Sequence, residues 1–159
     1  REIYIGTTRV GSGDTTLGGI IAHNLKSIMH GHLPVEYIPL HTVSQKVMRK
    51  TLMASTAVPV VFKPVKIGDG LYVDGGVYNN TPLRPLLDAG CTHILVLDLF
   101  KYNLKRTFYS GEAELFYVHP EKSLGRILDF VPEKSIERMA YGRTIAEEKL
   151  SDIKHFIEK

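Results

Sequence analysis

Residues 93–99, HILVLDL, restrict the fold more than any other stretch of the chain. Their apolar side chains run on without the polar alternation of a strand that has one wet face. A continuous run of this kind suits a central parallel strand covered on both sides. Shorter patterns surround it. Ile3–Thr8 is β-branched and aromatic, Val35–Leu40 reads as an edge strand between prolines, and Leu71–Val73 and Leu115–Val118 are further strands. Helical patterns lie between them. Ser44 is placed to cap a helix that runs to about Thr56. Thr81 is placed to cap one over Pro82–Ala89 that stops at Gly90. Ile20–Ile28 fits a short helix. The tail from Ser135 to about Lys154 fits a long one, with Ile136, Met139, Ala140, Ile145 and Leu150 on or near one face. The alternation predicts an α/β fold: a layered, mostly parallel sheet flanked by helices.

The chain opens Arg1-Glu2-Ile3-Tyr4-Ile5, directly in a strand pattern and without an initiator methionine. The expectation is therefore a sheet truncated on its N-terminal side. Such a cut leaves an open edge, and self-association through that edge is expected.

Charge and cysteine content narrow the function classes. Twenty basic residues against 17 acidic ones give a net charge of +3 over 159 residues. The basic residues are spread out. The densest group, Lys46, Arg49 and Lys50, reads as the solvated face of a helix, so no nucleic-acid partner is expected. The single cysteine, Cys91, excludes an intramolecular disulfide and suits a reducing compartment, which gives a cytoplasmic expectation. No apolar run approaches the roughly 18 residues of a membrane span.

The chemistry concentrates in LYVDGGVYNNTP, residues 71–82. A short apolar strand ends at a carboxylate, Asp74, and the next two residues, Gly75 and Gly76, carry no side chain. Local sequence leaves two readings open. Asp74 caps a turn by accepting backbone N–H groups, as aspartates before glycine commonly do. Alternatively it is a catalytic carboxylate at the carboxyl end of a strand, where ligands gather in α/β sheets.

Other candidates are weaker. Among seven histidines only His30 and His32 lie close together, while His23, His41, His93, His119 and His155 are scattered, so no metal site is expected. Gly68-Asp69-Gly70 with Asp74 lacks the ligand spacing of a calcium loop. Arg9–Gly19 is glycine-rich and reads as a loop, without the lysine of a phosphate-binding loop. Tyr102, Phe108, Tyr109, Phe116 and Tyr117 form an aromatic cluster suited to core packing, an acyl pocket or a membrane surface.

Residues 52–90 resemble the second half of the patatin-like phospholipase domain. The family's Ala-Ser-x-Ala-x-Pro-x-x-Phe stretch is matched by Ala54 to Phe62, its Asp-Gly-Gly triplet by Asp74-Gly75-Gly76, and its Asn-x-Pro-like continuation by Asn79 to Pro82. The resemblance implies a lipid acyl hydrolase, of phospholipase A or esterase type, with a serine–aspartate dyad. It needs no cofactor, and its partners are a lipid or acyl-ester substrate and a membrane surface. Asp74 would be the base and Gly75 and Gly76 its supporting residues.

The family's nucleophile lies in a Gly-x-Ser-x-Gly turn, with a glycine-rich oxyanion loop before it. Neither occurs in these 159 residues. Ser12, in Gly11-Ser12-Gly13, lacks the strand–turn–helix setting, and Ser55 reads as a packing or capping residue. Residues 1–159 are therefore expected to form the C-terminal portion of a single catalytic domain, carrying the base without the nucleophile and inactive alone. The alternative is a non-catalytic binding or assembly module of the same fold.

Overall fold

A computed structural model describes residues 2–12, 35–100, 113–126, 129 and 131–159. The helix expected over Ile20–Ile28, His23, the pair His30 and His32, and Tyr102, Phe108 and Tyr109 lie outside the described residues. The chain forms two compact units, Arg1–Pro85 and Leu86–Lys159.

The first unit is built on a four-stranded sheet in the order β2-β1-β4-β3. Its strands are β1 (Tyr4–Ser12), β2 (Val35–Pro39), β3 (Val65–Ile67) and β4 (Gly70–Asp74). Every pairing in it is antiparallel. This corrects the expected layered, mostly parallel sheet, although the class remains mixed α and β. The reason is local. Ile67 pairs with Gly70, so only Gly68 and Asp69 join β3 to β4. Gly68 has φ 60°, the left-handed value that a tight hairpin requires at its first loop position. A two-residue connection can join only antiparallel neighbours, because a parallel pair needs a crossover of a dozen residues or more.

Strand β1 also runs further than composition suggests. Arg9–Ser12, expected as loop, continues along β4, with Arg9 opposite Tyr72, Gly11 opposite Leu71 and Ser12 opposite Gly70. The extra residue in this register is Val10. It is buried and packs with Val73 and Leu71, so the bulge turns an apolar side chain into the core.

Helix α1 (Gln45–Ser55) packs against β1, β3 and β4. It begins as its sequence predicts: the Ser44 hydroxyl accepts the Val47 N–H at 3.4 Å. Thr51 and Ala54 are its fully buried residues, and their small side chains let helix and sheet approach closely. Lys50 Nζ donates to the Lys66 carbonyl at 2.7 Å, tying the helix to β3. Helix α2 (Arg84–Asp88) starts two residues later and ends one residue earlier than expected, but it is closed at Gly90 as expected. Gly90 N–H donates to Leu87 O, Cys91 N–H donates to Leu86 O, and Gly90 has φ 77°. These two bonds and the left-handed glycine are the Schellman closure of a helix.

The second unit contains β5 (His93–Leu97) and β6 (Glu114–Val118) as a separate two-stranded parallel sheet. The parallel pairing expected of residues 93–99 is present. Their burial on both faces is not: Ile94 and Val96 are buried, while Leu95, Leu97 and Leu99 are exposed. Phe156 lies against the other face, the one that carries His93, Leu95 and Phe116, with its ring 5.3 Å from those of His93 and Phe116.

The tail forms two helices, α3 (Pro132–Glu148) and α4 (Leu150–Ile157), where one was expected. Pro132, pre-set for a first helical position, starts α3 three residues before Ser135. The apolar stripe of α3 is not its anchor, since Ile136 and Met139 are exposed. Polar contacts hold the helix instead. Arg138 donates to the Asp129 carboxylate at 2.9 Å, and the Tyr141 hydroxyl accepts the Glu121 N–H at 3.0 Å. Lys134 and Arg138 together hold the Asp129 carboxyl below its ordinary range.

Phe156 is the largest buried apolar side chain among the described residues of the second unit. Phe156→Ala is expected to cost about 3 kcal/mol. Loss of the α4 signal at lower denaturant concentration than in the unsubstituted chain would show this, and an unchanged midpoint would refute it.

Candidate active site

Asp74 is the last residue of β4, and its backbone is fixed on two sides. Its N–H donates to the Ala57 carbonyl at 3.1 Å, which joins the end of β4 to the chain leaving α1. Thr7 of β1 lies opposite it in the sheet. Its side chain is half-buried. Oδ1 accepts the Gly76 N–H at 2.8 Å and caps the single 3-10 turn Gly75–Val77. Among the described residues no hydrogen bond reaches Oδ2. The turn-capping reading of Asp74 is thus present in the structure, and it occupies one carboxylate oxygen only.

Burial pushes the Asp74 carboxyl above its ordinary pKa, because removing water penalises the charged form. The Gly76 N–H favours the carboxylate and opposes this shift without cancelling it. The result is a carboxylate more basic than a solvated one, with one oxygen oriented by the backbone.

The two glycines make room, but for the chain itself. A Cβ on Gly75 would stand 2.6 Å from the Gly6 carbonyl carbon and 2.8 Å from Thr7 N, which are backbone atoms of β1. A Cβ on Gly76 would meet Asn80 Oδ1 at 2.6 Å and Asp74 Oδ1 at 3.1 Å. In the sequence these positions are residues that lack a side chain and support the base. The structure fills them with β1 and with the turn's own polar atoms.

Asn79 and Asn80, which the sequence offered only as part of an Asn-x-Pro-like continuation, complete the arrangement. Asn79 Nδ2 donates to the Tyr37 hydroxyl on β2 at 2.9 Å, and Asn79 Oδ1 accepts the Thr81 N–H at 3.1 Å. The Asn79 N–H donates to the Gly75 carbonyl at 2.9 Å. The segment after Asp74 is therefore pinned across the sheet. Tyr78, one residue earlier, carries a buried hydroxyl with no partner among the described residues, and burial raises its pKa.

The other candidates fall elsewhere. Ser12 pairs with Gly70, at the opposite end of β4 from Asp74. Four residues of strand separate those ends by about 13 Å, so the backbone of Ser12 is outside hydrogen-bonding range of the carboxylate. Ser55 ends helix α1. His41 stacks edge-on with Tyr4, and His93 with Phe156. Among the described residues no group of three or more His, Cys, Asp or Glu side chains could hold a metal ion.

Backbone cannot yield as a flexible side chain does, so Gly75→Ala is expected to force β1 from β4 and cost about 2 kcal/mol or more. Thermal unfolding of that variant beside Gly76→Ala, whose added methyl has only side-chain atoms nearest to it, tests the difference. Equal loss at both positions would contradict the close approach of Gly75 to β1.

No curated protein and no solved structure matches the chain. Residues 19–87 match the family model described as patatin-like phospholipase. That span holds both Ala54–Phe62 and the Asp74-Gly75-Gly76 triplet, and the family is one of lipid hydrolases. Residues 19–87 of this chain are similar to the patatin-like phospholipase family.

Proposed function

We propose that the chain contributes the base of a lipid acyl hydrolase, with Asp74 as the aspartate of a serine–aspartate dyad. The observation that carries this reading is the half-buried Asp74 carboxylate, raised in pKa, with Oδ1 held by Gly76 N–H and Oδ2 without a described partner.

The chemistry follows from those two oxygens. A serine hydroxyl attacks the ester carbonyl while its proton passes to Asp74 Oδ2, with no histidine between them. The tetrahedral oxyanion collapses and expels the alcohol, which takes the proton from Asp74. Water then attacks the acyl-serine with Asp74 as base again, releasing the fatty acid and restoring the serine. An ordinary carboxylate, with pKa near 4, is a poor base for a hydroxyl, and desolvation of Asp74 moves it toward the task. No cofactor or metal takes part. The serine and the oxyanion donors come from outside residues 1–159, so the 159-residue chain alone is inactive. The other reading, a binding or assembly module, draws support from the capping bond of Asp74, which needs no reaction to explain it.

Labelling with a serine-reactive fluorophosphonate followed by intact-mass measurement separates the readings. The 17.8 kDa chain is expected to take up no probe. A polypeptide that also carries the Gly-x-Ser-x-Gly turn is expected to take one, on that serine. In that polypeptide Asp74→Asn keeps the Gly76 bond and slows labelling at least about 100-fold. A stoichiometric adduct on Ser12 or Ser55, or an Asp74→Asn polypeptide that labels normally, would sink the dyad.

The raised pKa also fixes the sign of a stability effect. A carboxyl whose folded pKa lies above its unfolded value stabilises the fold in its protonated form, and that contribution is lost as pH rises through the folded pKa. Asp74→Asn removes the ionisation and keeps the cap. Its melting temperature relative to the unsubstituted chain is therefore expected to rise between pH 4 and pH 7, and a constant or falling difference would contradict the raised pKa.

A further inference from the structure

The turn that supplies the Ala57 carbonyl to Asp74 continues into an unusual surface. Five large apolar side chains stand exposed within eleven residues of sequence: Leu52 (46%), Met53 (62%), Val60 (74%), Val61 (53%) and Phe62 (49%). Val60 has φ 75°, and no other described residue except glycine has a positive φ. A β-branched side chain in this region is strained, whereas glycine or asparagine would sit there at little cost. The strain is locked in, since both Val61 N–H (3.2 Å) and Phe62 N–H (3.0 Å) donate to the Val58 carbonyl. Folding gains nothing from an exposed valine in this conformation.

In sequence, the charge on either side of the tip is of one sign. Residues 37–68 hold Lys46, Arg49, Lys50, Lys63 and Lys66 and no aspartate or glutamate. Lys46, Arg49, Lys63 and Lys66 are exposed, and Lys63 directly follows the apolar run. A rigid apolar projection within a basic stretch of chain fits a surface that is anionic outside and apolar beneath. A second copy of the chain fits poorly, because it would set cations against cations.

We propose that Val60-Val61-Phe62, with the exposed Leu52 and Met53 of α1, insert into the interface of an anionic phospholipid bilayer, while Lys46, Arg49, Lys63 and Lys66 engage its head groups. The proposal rests on the lipid-substrate reading of this unit and deepens it. Ala57 O to Asp74 N is one hydrogen bond, and Ala57 precedes Val60 by three residues, so the inserting turn and the base are parts of one structure. Seating the turn in the lipid brings the end of β4 to the surface that holds the substrate.

The test is sedimentation of the full chain with phosphatidylcholine vesicles, with and without phosphatidylglycerol. Binding is expected only to the anionic vesicles and is expected to weaken as salt rises. Val61→Ser with Phe62→Ser should weaken it at least about tenfold. Lys63→Glu with Lys66→Glu should weaken it by more than about tenfold, each lost cation being worth about fivefold. Val60→Gly relieves the strained backbone, so it should melt higher and bind more weakly. The chain contains no tryptophan, so Phe62→Trp gives a single reporter whose emission should shift to the blue on anionic vesicles alone.

Equal binding to neutral vesicles, no binding to either kind, or unchanged binding by the folded variants would overturn the proposal. So would sedimentation velocity showing that Val61 and Phe62 hold a dimer or an acidic protein while vesicle binding is unaffected. Binding requires no catalysis, and Asp74→Asn should bind as the unsubstituted chain does. Failure of the vesicle experiment thus removes the surface and leaves the dyad standing. Failure of serine labelling removes the dyad and leaves the surface.

Discussion

Strand β4 has a neighbour on each edge, and the position of Asp74 follows from that. Pairing with β1 on one side and β3 on the other satisfies the ladder along the strand. At its end the Asp74 N–H is taken up by the Ala57 carbonyl. Gly75 then presses against the backbone of Gly6 and Thr7, closer than any Cβ would allow. The carboxylate is therefore held by a paired strand, a turn and a backbone contact, none of which depends on a flexible side chain. A proton shared between two oxygens needs placement to a few tenths of an ångström, and scaffolds deliver this better than loops do.

Much of this was legible locally. Ser44 and Gly90 act within a few residues of themselves, through a capping hydroxyl and a left-handed closure, and local chemistry is what a sequence displays directly. The end of β4 at Asp74 could be read for the same reason. The sheet could not. Whether a strand pairs parallel or antiparallel depends on which partner it meets, and β3, three residues long, is too short to leave a periodic signal. Glycines at 11 and 13 made Arg9–Ser12 look like loop, yet a ladder partner carries that segment as strand. The HILVLDL run failed differently. Apolar content shows that a strand can be covered on both faces, and here Leu95 and Leu97 remain exposed.

The glycines after Asp74 changed meaning between sequence and structure. Missing side chains suggest open space, but at Gly75 the space is already taken by β1, and at Gly76 by Asn80 and the carboxylate itself. Within the dyad reading this restricts the chemistry. Oδ1 is committed to the Gly76 N–H, so the proton of an attacking serine has Oδ2 as its destination. The turn and the base are then not alternatives, because the capping bond decides which oxygen is left to act.

Departures from ordinary folding preference gather around that carboxylate. Between residues 57 and 78 lie a half-buried acid with a raised pKa, a valine in a left-handed conformation, and the buried Tyr78 hydroxyl, which like those of Thr8 and Thr51 elsewhere has no partner among the described residues. Nothing comparable in backbone strain occurs among the other described non-glycine residues. Each costs stability, by desolvation of charge, by a lost hydrogen bond or by steric strain. The core beneath them is modest, since its largest fully buried side chains are the threonines Thr7, Thr8 and Thr51. A small core carrying several unfavourable features in one neighbourhood is the pattern expected where selection acts on a site rather than on stability. Residues 57–78 are therefore where function is to be sought, independently of any resemblance.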